Sequence, residues 1–110
     1  HAIEAKAGYG RIQHGEAVGL GMLAAARTAA AFGLCDESLC EELRSLLAAA
    51  GLPLRAPLPG DDELGAVMRL DKKVADKRIR FVLPERFGRV VVRDDVPADC
   101  VKQGWLAIRA

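Results

Sequence analysis

Apolar residues recur along most of this chain at spacings of three and four, and only near residue 80 does the period shorten to two. Residues 1–7, HAIEAKA, are helix-prone and are stopped by Gly8-Tyr9-Gly10, so residues 8–14 are expected as loop. From about Gly15 to Phe32, the residues Val18, Met22, Ala25, Ala29 and Phe32 share one face of a helix. Gly33 follows, a residue suited to a left-handed C-terminal cap. Gly19, Gly21, Ala24 to Ala26 and Ala29 to Ala31 are small enough to let another backbone approach closely. This helix is therefore expected at the centre of a helical cluster, with Gly21 at a close contact.

Asp36 is the expected N-cap of a second helix, whose stripe is Leu39, Leu43, Leu46, Leu47 and Ala50 and whose stop is Gly51. The segment LPLRAPLPG, 52–60, carries three prolines and a glycine and reads as a connector. Asp61 or Asp62 is expected to cap a third helix with Leu64, Val67, Met68 and Asp71 on one face, which sets a carboxylate on an apolar stripe. In RIRFVLP, Ile79, Phe81 and Leu83 alternate with Arg80 and Val82, and RVVVR after Phe87-Gly88 is rich in β-branched residues. Two short strands joined by a turn follow from that pattern. Pro97 opens a last helix with Val101, Trp105 and Ile108 on one face. The expected fold is mainly α, one helical domain over 1–110 with a short antiparallel β-hairpin near the C-terminus.

Composition narrows the functional classes. The formal net charge is +1 and only 5% of residues are aromatic, so neither a basic field nor base-stacking side chains argue for nucleic acid. The longest apolar stretch, within 17–32, is interrupted by Arg27 and is too short and weakly hydrophobic for a membrane span. Cys35, Cys40 and Cys100 form no CxxC, which suits reduced packing residues in a cytoplasmic chain. The chain opens at His1 with residues that read as the inside of a helix; a tag remnant and an internal position in a larger protein both account for this.

Few residues are candidates for chemistry. His14, between glycine and a helix start, is either a structural histidine bonded to backbone or a metal ligand or proton shuttle. Glu16 sits in the first helical turn, where the helix dipole favours a carboxylate whatever its function. A catalytic zinc takes three protein ligands, so a metal at His14 needs co-ligands from outside these residues. Lys72 and Lys73 follow Asp71 and are either a solvated face or point charges for a phosphate or carboxylate. No Walker A motif is present, and Gly19 and Gly21 lie inside a helical pattern, so they make no dinucleotide fingerprint.

Taken in order, HAIEA, GYG, HGEAVGLGM, GLP (51–53), MRLDKK (68–73) and RFVLPERFG (80–88) resemble the C-terminal half of the 3-dehydroquinate synthase family over nearly the whole chain. The resemblance implies a helical domain of a two-domain enzyme whose N-terminal NAD-binding domain is absent from this chain. It implies conversion of 3-deoxy-D-arabino-heptulosonate 7-phosphate, a seven-carbon keto-acid sugar phosphate, to 3-dehydroquinate with release of phosphate in the shikimate pathway. NAD and a divalent metal, normally zinc with cobalt as an alternative, are the implied cofactors. His14 matches the metal-binding histidine of the HGE motif. His1 matches a substrate-site histidine of the HAIE motif, and the metal ligand four residues upstream of it falls before this chain. Lys72 or Lys73 matches the lysine that contacts the substrate's acidic groups. A homodimer is also implied. A sibling cyclase, such as a 2-deoxy-scyllo-inosose synthase, and a non-catalytic helical interaction module are the alternatives. Metal-dependent glycerol and alcohol dehydrogenases share the two-domain plan but are not expected to carry DKK ahead of this hairpin.

Overall fold

The computed structural model of the chain describes residues 1–5, 12–72 and 79–110, and for 69–72 the backbone alone. The elements are α1 (His14–Phe32), α2 (Glu37–Ala49), α3 (Asp61–Lys72), β1 (Phe81–Arg86), β2 (Arg89–Arg93) and α4 (Ala98–Ile108). The fold is mainly α with a two-stranded antiparallel hairpin near the C-terminus. Gly8-Tyr9-Gly10, the expected stop of the first helical segment, lies outside the described residues. Residues 1–5 form a single turn, in which the Ala5 N–H donates to the His1 carbonyl at 2.9 Å. Ala2 and Ile3 of that turn are buried in the core.

α1 is the axis of the molecule and packs on α4, α2 and β1. Its end follows from sequence. Gly33 has φ +86, its N–H donates to the Ala30 carbonyl, and the Leu34 N–H donates to the Ala29 carbonyl, so both orphan carbonyls are satisfied. Gly51 closes α2 in the same way, at φ +81, with the Leu52 N–H on the Leu47 carbonyl. Asp36 stands at the N-cap of α2 as expected but makes no side-chain capping bond. In α3 the Leu64 N–H donates to the Gly60 carbonyl at 3.2 Å, so Asp61 and Asp62 lie inside the first turn rather than at the cap. The acidic pair is still favourable there, against the positive end of the helix dipole.

Two expected faces differ from the observed ones. The core side of α1 is Ala17, Leu20, Leu23, Ala24, Ala26 and Ala29; of the expected face Ala29 is buried, while Val18 and Met22 are about half exposed. α1 is apolar on three sides, so periodicity groups its residues without saying which sides the rest of the chain covers. In α2, Leu39, Cys40, Leu43 and Leu47 are buried, and Leu46 and Ala50 face outward. The largest fully buried side chains are Leu20, Leu64, Leu83 and Ile108, one from each of four elements. Each such burial stabilises the fold by about 1.5–3 kcal/mol relative to exposure.

The close helix contact is at Gly104 rather than Gly21. A Cβ on Gly104 would fall on the Thr28 hydroxyl and lie 2.6 Å from the Ala24 carbonyl oxygen, whereas one on Gly21 meets nothing within 4 Å. Thr28, a buried polar residue at this crossing, donates its hydroxyl to the Ala24 carbonyl at 2.8 Å, so its own polar group is paired. α4 then ends on the proline-rich connector. The Ala56 N–H donates to the Ile108 carbonyl (2.8 Å) and the Ala110 N–H donates to the Ala56 carbonyl (2.9 Å). Arg109 donates to the Pro59 carbonyl at 2.8 Å and to the Asp61 carboxylate at 3.0 Å, tying the chain end to the start of α3.

The hairpin pairs Phe81 with Arg93, Val82 with Val92 and Leu83 with Val91, with a bulge between Pro84 and Arg86 and a turn at Gly88, φ +85. Leu83 is 1% exposed beneath the hairpin, while Val82, Val90 and Val92 are on its outer side. Period-two alternation thus sends Leu83 inward and Val82 outward, as expected for a hairpin with one covered face.

The crossing predicts opposite outcomes for two glycines. Gly104→Ala should destabilise the fold by about 1–3 kcal/mol through overpacking. Gly21→Ala should be neutral or stabilising by up to about 1 kcal/mol, from helix propensity. Chemical denaturation of both variants checks this; equal stability would remove the close contact at Gly104.

Candidate functional site

The first residue of α1 is His14, one residue earlier than the expected start at Gly15. The helix begins here because its orphan donors are met locally. The Ala17 N–H donates to the Gln13 carbonyl at 3.0 Å, and the Gln13 N–H donates to the Glu16 carboxylate at 3.0 Å. Glu16 thus reaches back over the helix start, the N3 half of a capping box. That contact accounts for the glutamate of the HGE motif: it holds the backbone that carries His14.

The His14 ring stands on the surface, 74% exposed, and its Nδ1 lies 2.8 Å from Oε1 of Glu4. Glu4 belongs to the terminal turn whose neighbours Ala2 and Ile3 are in the core. The fold therefore brings HAIE and HGE together, with a carboxylate against one ring nitrogen.

Both motifs open onto a cleft of about 340 Å³. Its polar lining residues include His1, Glu4, His14 and Arg80, and its apolar ones include Val18 of α1 and Trp105 of α4 beside Gly21. The half-exposed side of α1, which periodicity had assigned to the core, is thus partly a cleft wall. His1 and His14, singled out in sequence, share this cleft. Lys72 is the last residue of α3, one turn beyond Met68, which also lines the cleft. Lys73 lies outside the described residues. Sequence reasoning missed Glu4 and Arg80. Arg80 looked like the outward residue of an alternating strand, yet it precedes β1 and reaches the cleft, where its planar guanidinium suits carboxylate or phosphate.

An imidazole beside a carboxylate is donor chemistry that suits a divalent metal such as zinc. Among the described residues no three His, Cys, Asp or Glu side chains gather as a complete site; His14 and Glu4 offer one imidazole and one carboxylate. The three cysteines are free. Burial pushes the thiols of Cys35 and Cys40 up, which keeps them protonated and makes them poor metal ligands. Among the described residues no helix is long and apolar enough to cross a membrane.

Replacing Glu16 tests how the helix start holds the site. Glu16→Ala should destabilise the fold by about 0.5–2 kcal/mol, the cost of losing a helix cap, and Glu16→Gln, which keeps an acceptor, by less. Thermal melting of the two variants measures the difference; an unchanged melting temperature for Glu16→Ala would rule out the capping role.

Comparison with known proteins adds an independent line. A family model described as 3-dehydroquinate synthase C-terminal matches residues 1–74. A 3-dehydroquinate synthase of Rhodopirellula baltica is 49% identical over 109 residues, covering 99% of this chain and 29% of the relative. Those of a Synechococcus and a Shewanella species are 42% identical over 110 residues and 46% identical over 104, covering 98% and 94% of this chain and 30% and 29% of the relatives. The chain spans about 30% of the length of the curated relatives it matches.

Proposed function

This chain belongs to the 3-dehydroquinate synthase family, its residues 1–74 matching that family's C-terminal model, and from that premise we propose that it supplies part of the metal and substrate site of a two-domain 3-dehydroquinate synthase. The observation that carries this reading is that His1, Glu4 and His14 line one cleft, with Glu4 against the His14 ring. All three lie within the residues matched by the family model.

The proposed reaction converts 3-deoxy-D-arabino-heptulosonate 7-phosphate to 3-dehydroquinate and releases phosphate. NAD, held by an N-terminal domain, and zinc, with cobalt as an alternative, supply reversible hydride transfer and Lewis-acid polarisation of a hydroxyl when bound. This chain's residues do the holding. His14 contributes one imidazole ligand, and the remaining ligands come from outside the chain. His1, on the same cleft, hydrogen-bonds the substrate. Lys72 or Lys73, as point charges, hold the phosphate or carboxylate, and Arg80 offers a planar fork for the same groups. Fixing both ends of a flexible sugar acid in this way lowers the entropy cost of bringing its reacting carbons into line. Three free thiols fit a cytoplasmic enzyme, and the family pattern adds a homodimer.

Removing the ligand tests the reading. In the full-length protein, His14→Ala should lower turnover about 100-fold or more and reduce bound zinc, measured by steady-state assay and metal analysis; loss of an outer partner of a ligand already costs about 10–100-fold. Full activity with full zinc in that variant would remove His14 from the site. The 110-residue chain by itself should release no phosphate from the sugar phosphate, and measurable release would overturn the shared-site reading.

A further inference from the structure

Glu4 is given no chemical role in the proposed reaction, yet its geometry is specific. Its Oε1 lies 2.8 Å from His14 Nδ1, and the two residues are ten apart, on separate helical segments. The carboxylate does not hang on a loose arm. It leaves a turn closed by the Ala5 N–H on the His1 carbonyl, with Ala2 and Ile3 at 6% and 4% exposure just before it. On the other side, His14 sits on a helix start held by Glu16. Both partners are therefore placed by backbone that other contacts fix.

The chemistry of the pair follows from donor and acceptor capacity. A carboxylate only accepts, so the hydrogen in this contact is on Nδ1, and neutral imidazole then keeps its lone pair on Nε2. An exposed His–Glu pair contributes little to folding, so its effect is on the ring rather than on the fold. Metal-bound histidines characteristically donate their second ring N–H to a carboxylate or carbonyl, which fixes the tautomer and raises the basicity of the ligating nitrogen.

We propose that Glu4 is the positioning residue for His14, holding Nδ1 as the donor and leaving Nε2 as the nitrogen that ligates the metal. This rests on the reading of His14 as a metal ligand. Glu4 itself touches neither metal nor substrate in this arrangement.

The test uses the full-length protein, with Zn2+ affinity measured by chelator competition for the wild type, Glu4→Gln, Glu4→Ala and His14→Ala. Glu4→Gln and Glu4→Ala should each weaken zinc about 10–100-fold, while the metal-free proteins melt as the wild type does. Loading with Co2+ gives a second readout, since a reoriented or less basic imidazole shifts the visible ligand-field bands. If His14→Ala keeps wild-type zinc affinity, the ligand reading fails and the Glu4 proposal with it. If His14→Ala loses zinc but both Glu4 variants retain wild-type affinity and cobalt spectrum, the Glu4 proposal alone is overturned. Should Glu4→Ala fail to fold, the isosteric Glu4→Gln carries the test.

Discussion

The structure depends on the crossing of α1 and α4 at Gly104. There a helix backbone runs against Thr28 and the Ala24 carbonyl at a distance that leaves no room for a Cβ. Such a contact has little tolerance, because protein interiors are close-packed and an added methyl group must displace something. Thr28 makes the approach chemically acceptable by returning its hydroxyl to the Ala24 carbonyl. With α4 seated in this way, Trp105 and Ile108 close the core beside α1. The end of α4 reaches the connector, where Ala56 and Arg109 complete the tie. Arg109 also holds Asp61 at the start of α3, so a single crossing sets the placement of two further segments.

The same rigidity reaches the candidate site. α1 is one continuous helix from His14 to Phe32, so a helix clamped near Thr28 also fixes its own first residue. The terminal turn is held independently, by Ala2 and Ile3 in the core. The pair of His14 and Glu4 is where these two anchored pieces meet, and it lines a cleft that β1 and α4 also line. Sites built on regular elements rather than loops keep their geometry better. The cysteines stand apart from this arrangement; Cys40 is packed in the core, and none of the three lines the cleft.

Much of the fold could be read from the chain. Helix ends at Gly33 and Gly51 follow from the left-handed conformation a cap demands, and the hairpin follows from alternation around a Phe-Gly turn. The covered sides were less legible. In α1 three apolar sides compete, and local periodicity is blind to which one faces a partner, so Val18 and Gly21 were assigned to packing but line the cleft. Gly104 carried no local mark, because a glycine inside a helical pattern does not reveal a neighbour eighty residues earlier in the chain. His14 drew attention by its type and its flanking motif, and the HAIE and HGE segments carried the family resemblance before any coordinates. Glu4 and Arg80 stood inside the quoted HAIE and RFVLPERFG segments, yet nothing local singled out either one within its motif.

What the sequence by itself determined is the set of elements, the glycine-closed ends of α1 and α2, and the family, because capping, periodicity and motif order are local properties of the chain. Only the tertiary structure decided which glycine lets helices touch, which side of α1 faces the cleft, and that a glutamate ten residues before the histidine accepts its ring hydrogen. Those depend on distances between segments, and such distances are set by packing of the whole core rather than by any one stretch of residues.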